Sequence, residues 1–362
     1  MTSNDRLHTF SNNSSIVRER IRHLPIGGRM KDIPSALWHD SYVRLGDKKT
    51  GGPNLRLLRL DPGLPSNTVT AYIFNKFVHP FEDRYITPRE AARLQQFPDD
   101  HDFSGPITKV QLQIGNAVPV GLAEAVARHV ASRFSVVTPG KPSAVSLFAG
   151  AGGMDLGFYP YFDVKSANEV VPEFSETLRR NFPTMEVVGR DISLLTGADL
   201  HPGSPDVVFG GPPCQPFSAA GKQRGVDDPR GQLVHQYLRI VEELGPRFFV
   251  MENVPGLRSN QQGGALRFIE QEAARIGYAS ESFVLTATDY GVPQLRRRLI
   301  VIGRRDASEA PLGRPPVTHS RFPADQGDLL LQPCATVEDA LMGLPRANPR
   351  AAKGEASRVP AA

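Results

Sequence analysis

The sequence contains few of the residues that mark a disulfide-linked, secreted or membrane-spanning protein. It has two cysteines among 362 residues, which excludes a disulfide framework and a cysteine-rich metal site. No run of about 18 apolar residues occurs, so a membrane span is not expected. Residues 1–22 are polar and lack the apolar core of a secretory signal. We therefore expect a protein of the reducing cytoplasm.

Composition and charge leave the choice of partner open. Apolar residues make up 40% of the chain and charged residues 22%, which is ordinary for a domain with its own core. The net charge is +4 and the isoelectric point about 9.1, which permits binding to a polyanion without requiring it. Glycine and proline are frequent, with 33 and 32 residues, and predict many tight turns.

The N-terminal part of the chain changes character near Thr87. Residues 1–66 carry scattered basic side chains and no long helical period, so a solvated loop-rich subdomain and a nucleic-acid surface remain equally open. Thr87, followed by Pro88 and Glu90, is typical of a helix start with a capping box. A second helix is predicted over residues 120–134, where apolar residues recur every four positions.

After a linker over residues 136–143, strands alternate with helices. The strands are predicted at residues 144–148, 163–168, 206–209, 248–252, 282–286 and 298–302. The helices are predicted at residues 172–181, 231–244 and 264–276. This alternation predicts an α/β fold with a mostly parallel sheet and helices on both faces. In such a fold ligands bind at the carboxyl ends of the strands.

A glycine-rich turn, SLFAGAGGMDLGF over residues 146–158, follows the first predicted strand. Its glycines allow a sharp turn and a close approach of the backbone to a ligand, but NAD, FAD and nucleoside cofactors all use such turns. Glu169, after the second strand, suits the two hydroxyls of a ribose. Asp191, after the third, suits an adenine amino group. The three features in this order favour a cofactor that contains a nucleoside.

Cys214 follows two glycines and two prolines where the fourth predicted strand ends. That stiff loop is unlike a packed core position, so a thiolate nucleophile is favoured over a structural cysteine. Cys334 has no such setting and is interpreted as structural. Glu252, at the tip of the fifth strand, is expected to face the same crevice. Strand alternation predicts Arg296 and Arg298 on one face, as ligands for an anion or a base.

Several of its motifs make the chain resemble the DNA cytosine carbon-5 methyltransferases. The matching segments are residues 89–99 (REAARLQQFPD), 113–119 (QIGNAVP), 148–150 (FAG), 213–215 (PCQ), 221–231, 252–254 (ENV) and 294–298 (QLRRR). In most of the family the first two segments follow the others, so the motif order here is circularly permuted. Ser146 is a further departure, because the family often has Asp at that position.

The resemblance implies a Rossmann-like, S-adenosylmethionine-dependent methyltransferase fold with a smaller loop-rich target-recognition domain. The implied divisions are a short, partial target-recognition region (1–86), the motifs that normally lie C-terminal with their helix (87–135), the linker (136–143), the catalytic cofactor-binding domain (144–305), a return to the recognition side (306–345) and a disordered tail (346–362). The chain can close this way if the helix over residues 120–134 packs beside the first strand.

The resemblance also implies a covalent reaction on a cytosine that is flipped out of the duplex. In that reaction Cys214 adds to carbon 6, Glu252 holds the N3 and amino edge, Arg296 bonds O2, and Arg298 supports this geometry. No metal is implied. The residues implied to bind S-adenosyl-L-methionine are Phe148, Gly150, Gly152, Gly153, Glu169, Asp191, Ile192, Pro213, Leu233, Asn116 and Val118.

The implied partner is double-stranded DNA in a bacterial-type cytoplasm, where a monomeric enzyme methylates a specific sequence. By the same resemblance it is the modification enzyme of a restriction-modification system, with a separately encoded endonuclease as its counterpart. Residues 218–230 form a glycine-rich basic loop that is predicted to close over the DNA. Two alternatives remain: a tRNA cytosine-5 methyltransferase with the same motifs, and a non-catalytic DNA-binding homologue, which Cys214, Glu252 and Arg296 disfavour.

Overall fold

A seven-stranded sheet forms the centre of the computed structural model, which describes residues 5–10, 13–39, 57–71, 76–134, 140–213, 232–259, 264–321 and 331–349. Its strands are β1 (Ser143–Leu147), β2 (Asp163–Asn168), β3 (Glu186–Val188), β4 (Val207–Gly210), β5 (Phe248–Asn253), β6 (Ala279–Thr286) and β7 (Arg297–Arg304). They lie in the order β6-β7-β5-β4-β1-β2-β3. Strand β7 is antiparallel to both neighbours, and the other pairs are parallel.

The helices of the described residues are α1 (Ser15–Arg22), α2 (Pro88–Leu94), α3 (Ile107–Asn116), α4 (Val120–Ala131), α5 (Gly153–Phe158), α6 (Pro172–Asn181), α7 (Gln232–Leu244), α8 (Gly256–Ser259), α9 (Gly264–Arg275) and α10 (Val337–Leu341). Short 3₁₀ turns lie at Asp5–His8, Met30–Asp32, Ser35–Leu37, Ile192–Leu194, Gly197–Asp199 and Ala287–Tyr290. No helix in this part of the chain has the length and apolar character needed to cross a bilayer.

Two hydrophobic cores cover the two faces of the sheet. Along β5, Phe248 and Val250 join the core under α4, α5 and α6, whereas Phe249 and Met251 join the core under α7 and α9. Successive strand residues point to opposite faces, so a strand buried on both sides is apolar throughout. The α/β fold class predicted from the sequence is confirmed, and β2 and α6 have the predicted bounds.

Local signals in the sequence account for the start of α2 but not for the end of α4. The predicted capping box is present at α2, where the Thr87 hydroxyl accepts from the Glu90 amide at 3.2 Å and the Glu90 carboxylate accepts from the Thr87 amide at 2.7 Å. Helix α4 ends at Ala131, three residues before the predicted end. There the amides of Arg133 and Phe134 bond three residues back and tighten the chain into a turn.

The segments before residue 135 pack directly on the sheet domain. A Cβ at Gly157 would lie 2.5 Å from the Glu124 amide nitrogen, so this glycine lets α5 and α4 touch at the backbone. Farther out, the strand Ser66–Asn67 pairs in parallel with Gln294–Leu295, just before β7. The N-terminal segment is therefore built into the same body as the sheet.

Three further two-stranded pairings complete the described structure, and one of them involves the predicted tail. They join Leu58–Arg59 to Phe77–Val78, His319–Ser320 to Gln332–Pro333, and Thr9–Phe10 to Asn348–Pro349. The last pairing orders the start of the tail, which composition alone predicted to be disordered throughout. Residues 136–139 of the predicted linker and residues 350–362 of the tail lie outside the described residues.

Candidate active site

A crevice opens at the carboxyl ends of β1, β4 and β5. It is lined by Asn116, Ala117, Val118, Ser146, Leu147, Phe148, Ala149, Gly153, Met154, Gly210, Gly211 and Glu252. Residues that are distant in the chain therefore share one cavity. In particular, Asn116 and Val118 lie against Phe148, which is the arrangement that a circularly permuted motif order requires.

The glycine-rich turn has an unusual backbone. Phe148 has a φ of 54°, a left-handed conformation that is uncommon for a residue with a side chain. Gly150 and Gly152 follow with φ values of 60° and 81°. A Cβ at Gly150 would meet nothing within 4 Å, whereas one at Gly153 would lie 2.6 Å from the Val118 carbonyl oxygen. The turn thus has open space beside Gly150 and is tightly packed against the Val118 segment at Gly153.

Glu169 braces this turn from the end of β2. Its two carboxylate oxygens accept from the backbone amides of Gly150 at 2.9 Å and Val171 at 2.8 Å. Burial raises the pKa of Glu169, and these hydrogen bonds oppose the shift by stabilising the ionised form. A carboxylate has about four acceptor sites, so Glu169 retains capacity to accept from a ligand hydroxyl.

His101 holds the same turn from the opposite side. Its Nε2 donates to the Ala151 carbonyl oxygen at 3.0 Å, and its ring contacts those of Phe97 and Phe103, which also contact each other. Burial lowers the pKa of His101 to about 4, so the ring is neutral at pH 7. The sequence interpretation missed this residue because its partner lies 50 positions away.

Of the predicted cofactor ligands, Asn116, Val118, Phe148 and Gly153 line the cavity, and the others lie outside its wall. Asp191 is exposed, and one of its oxygens accepts from the amide and the hydroxyl of Ser193, which lowers its pKa. Ile192 and Leu233 belong to the core beneath α7. Pro213 is exposed at the end of a described segment.

Glu252 and Arg298 form an ion pair beside the crevice. Arg298 Nε lies 2.5 Å from Glu252 Oε1, and both side chains are about one-eighth exposed, 13% and 12%. A Cβ at Gly211 would lie 2.8 Å from Glu252 Oε2, so glycine at that position leaves room for the carboxylate. Cys214, three residues farther along the chain, lies outside the described residues, as does the basic loop 218–230.

Arg296 has a different environment from Arg298. Strand β7 begins only at Arg297, and Arg296 is completely buried. Its guanidinium donates to the carbonyl oxygens of Val69 at 2.6 Å and Gly115 at 3.1 Å, and burial lowers its pKa. The alternation expected of a strand does not extend to position 296, because the chain turns there: the Arg296 amide bonds to the Gln294 carbonyl oxygen.

A pair of glutamines continues this buried polar network. Gln294 donates to the Gln95 side-chain oxygen at 2.9 Å and accepts from the Val69 amide at 2.9 Å. Gln95 in turn donates to the Ile114 carbonyl oxygen at 2.7 Å. The network joins the N-terminal motifs to the entry of β7. Both glutamines lie in the matched motifs, but their mutual contact spans 199 positions and has no local signal.

The sheet, the glycine turn and Glu169 together indicate the class of the protein. A mostly parallel α/β sheet, with a glycine turn after β1 and an acidic residue at the end of β2, is shared by proteins that bind a nucleoside-containing cofactor, S-adenosylmethionine-dependent methyltransferases among them. The family model for C-5 cytosine-specific DNA methylases matches residues 29–132 and 143–350. The chain therefore belongs to the C-5 cytosine-specific DNA methylase family.

Individual relatives cover the chain to different extents. The Type II methyltransferase M.AquIA of Picosynechococcus is 43% identical over 58% of this chain and 91% of its own length. M1.HphI of Haemophilus parahaemolyticus is 38% identical over 56% of this chain, which spans only 53% of that protein. A solved structure of a candidate DNA modification methyltransferase from an Escherichia coli prophage has 32% identity, a TM-score of 0.45, and coverage of 57% and 56% of the two chains.

The crevice fits the cofactor that the family implies, S-adenosyl-L-methionine. The backbone at Gly150 is bare, and Glu169 retains acceptor capacity for ribose hydroxyls. The Ser146 hydroxyl and both carboxylate oxygens of Asp155 are buried without hydrogen-bond partners among the described residues. Among those residues, no cluster of three or more His, Cys, Asp or Glu side chains is placed to hold a metal ion.

Proposed function

We propose that the protein methylates carbon 5 of cytosine in a specific double-stranded DNA sequence, with S-adenosyl-L-methionine as methyl donor. One observation carries the proposal: Glu252, implied to hold the base, lines the same cavity as Phe148 and Gly153 of the glycine turn. A base held by Glu252 and a methyl donor held by that turn would meet across this cavity. The family and the Type II methyltransferase relatives support the same reaction.

Cys214 is the proposed nucleophile. The target cytosine leaves the duplex, at a cost of a few kcal/mol for unstacking and unpairing. The Cys214 thiolate then forms a bond to carbon 6, which makes carbon 5 nucleophilic. After carbon 5 is methylated, loss of its proton and of the thiolate restores the aromatic ring.

Glu252 and Arg298 are the proposed partners of the base. Glu252 would bond the N3 and amino edge and favour protonation of N3 as the thiolate adds. The resemblance implied Arg296 as the ligand of O2, but both of its terminal guanidinium nitrogens donate to backbone carbonyls, whereas Arg298 contacts Glu252. We therefore assign the base oxygen to Arg298, and to Arg296 the role of fixing the entry of β7.

The cofactor would be held mainly by the turn after β1. When bound, it supplies a methyl group on a positively charged sulfur. Phe148 would stack on its adenine, Glu169 would bind the ribose hydroxyls, and Asp191 has a carboxylate oxygen free for the adenine amino group. The other proposed contacts are with Gly150, Gly152, Gly153, Ile192, Pro213, Leu233, Asn116 and Val118.

The biological role that follows is modification of DNA. We propose a monomeric cytoplasmic enzyme that protects its recognition sequence from a separately encoded restriction endonuclease. The names of its Type II relatives support this role. The loop of residues 218–230 is proposed to close over bound DNA.

The experiment compares nucleic acids as methyl acceptors. Purified full-length protein is incubated with tritium-labelled S-adenosyl-L-methionine and duplex DNA, single-stranded DNA or tRNA. We expect label in duplex DNA, and bisulfite sequencing of genomic DNA from expressing cells should locate 5-methylcytosine at one sequence. Label in tRNA alone would show that the substrate is tRNA and not DNA. Cofactor binding without transfer to any nucleic acid would instead indicate a non-catalytic homologue.

A further inference from the structure

Asp155, in the first turn of α5, is a buried acid that the proposed chemistry leaves unused. Its side chain has no exposure to solvent, and neither carboxylate oxygen has a hydrogen-bond partner among the described residues. An unpaired buried carboxyl group costs free energy, and the cost is larger when the group is ionised. Either a bound ligand supplies the missing hydrogen bonds of this carboxyl group, or the group has no function and the fold bears its cost.

Ser146 lies between this acid and the cofactor crevice. Ser146 lines the cavity. Its buried hydroxyl, like the Asp155 carboxylate, lacks a hydrogen-bond partner among the described residues. The interaction of this hydroxyl with Asp155 favours the ionised carboxylate and partly opposes the effect of burial on the pKa of Asp155. Burial, and to a smaller extent the charge of Glu169, raise the pKa of Asp155 to about 7.

Positions 146 and 155 are neighbours in the structure, and only one of them carries a carboxyl group. Ser146 lies near the carboxyl end of β1 and carries no charge of its own. Asp155 supplies a carboxyl group from the adjacent helix instead. Three oxygens without partners thus gather at the inner end of the glycine turn, next to the proposed site of a cationic ligand.

We propose that Asp155, acting through the Ser146 hydroxyl, is a positioning residue for the positively charged methionine end of the cofactor. The inference rests on the proposed function, because it assumes that S-adenosyl-L-methionine occupies the crevice. A serine hydroxyl can donate its proton to a carboxylate and at the same time accept from an ammonium N–H. The negative charge of Asp155 would then stabilise the ammonium group through the intervening Ser146 oxygen. Burial strengthens this interaction because little solvent is present to screen it.

The test uses ligands that differ only at the methionine end. S-adenosyl-L-methionine and S-adenosylhomocysteine both carry the ammonium group, whereas 5′-methylthioadenosine keeps the adenine, ribose and thioether without it. Calorimetry measures the Kd of each ligand for the wild type and for Asp155→Asn, Ser146→Ala and the exchanged double variant Ser146→Asp with Asp155→Ser. Ser166→Ala is the matched control, because that buried hydroxyl bonds to the Leu200 carbonyl oxygen.

We expect Asp155→Asn to weaken both ammonium-bearing ligands about tenfold or more, the usual effect of losing a hydrogen bond to a charged group. Binding of 5′-methylthioadenosine should change less than about twofold, which is within the ordinary scatter of such measurements. The exchanged variant should recover most of the affinity, because it places an acid at position 146. Ser166→Ala should leave all three Kd values unchanged.

Two results would overturn the inference. Equal weakening of all three ligands would mean that Asp155 only maintains the fold, and unchanged binding of every ligand would mean that it has no role towards the cofactor. A circular-dichroism melt of each variant separates loss of folding from loss of binding. Failure of the wild type to methylate DNA, with the ligand pattern intact, would reject the proposed substrate and leave this inference standing.

Discussion

The proposed cofactor side and the proposed base side of the crevice are held in place by different interactions. On the cofactor side, Glu169 and His101 bond to backbone groups of the glycine turn, and neither needs a charged partner. On the base side, Glu252 is paired with the charged Arg298. The first arrangement fixes a backbone shape before any ligand arrives. The second holds a charge that an incoming base must share.

This contrast predicts which measured quantity each side controls. A change on the cofactor side alters a preformed binding surface, so it should raise the Kd of the cofactor with little effect on turnover at saturation. A change on the base side removes interactions that strengthen as charge develops on the ring, so it should lower kcat. The predictions below test this division.

The largest effect is expected from Cys214→Ala. Without the thiolate no bond to carbon 6 can form, and turnover should fall by at least about 10³-fold, while the Kd of the cofactor stays the same. Labelled methyl transfer to duplex DNA and calorimetry measure the two quantities. Cys334→Ala is the matched control, because this second cysteine is buried away from the crevice, and it should keep near-normal turnover. Near-normal turnover of Cys214→Ala would refute covalent catalysis.

Glu252→Gln should give the next largest loss. The amide keeps the size of the side chain but loses its charge and its ion pair with Arg298, so kcat should fall about 10²–10³-fold. Glu281→Gln is a matched control, because Glu281 forms a similarly buried pair with Arg304 at 3.0 Å, at the opposite end of β7. Steady-state kinetics on duplex DNA should separate the two. Equal losses in both variants would indicate a general effect on the sheet.

Asp155→Asn should change how stability depends on pH. The pKa of Asp155 is raised from 3.8 to about 7 in the folded protein, so this acid contributes stability below pH 4 that is lost as pH rises through about 7. The asparagine variant has no such loss. The free energy of unfolding of the variant, relative to that of the wild type, should therefore increase by about 2–3 kcal/mol between pH 5 and pH 8. Urea unfolding without cofactor measures it, and parallel curves for the two proteins would contradict the assigned pKa.

Glu169→Gln should have the smallest effect and should act on binding alone. One side-chain oxygen becomes an NH₂ group that faces a backbone N–H of Gly150 or Val171, so the turn loses one brace. We expect a cofactor Kd about tenfold higher, with kcat at saturating cofactor nearly unchanged. Glu173→Gln, in the first turn of α6, is the control and should change neither quantity. If kcat fell by a larger factor than the affinity for the cofactor, the proposed difference between the two sides of the crevice would be wrong.

The sequence predicted the sheet better than the contacts that cross it. Bounds such as those of β2 and α6 follow from local apolar patterns, and the α2 start follows from Thr87 and Glu90 alone. The approach of Asn116 to Phe148 was predictable only through the family resemblance. Each of these rests on signals that lie within a few residues or within a recognised motif.

Other features could not be predicted because they depend on tertiary contacts. Periodicity placed Arg296 on a strand, but the turn at Gln294 redirects it into the interior. His101 looks like any other histidine until its partner in the glycine turn is known. Asp155 looks like an exposed helix residue, yet the packing of α4 and α6 around α5 buries it completely.

The most direct measurement of the central claim uses duplex DNA that carries 5-fluorocytosine at the target position. Fluorine cannot leave as a proton does, so the reaction should stop with the protein bonded to the base. Peptide mass spectrometry should locate that bond at Cys214, and its formation should require S-adenosyl-L-methionine. An adduct at Cys334, or methylation of normal DNA with no adduct on the fluorinated duplex, would contradict the account.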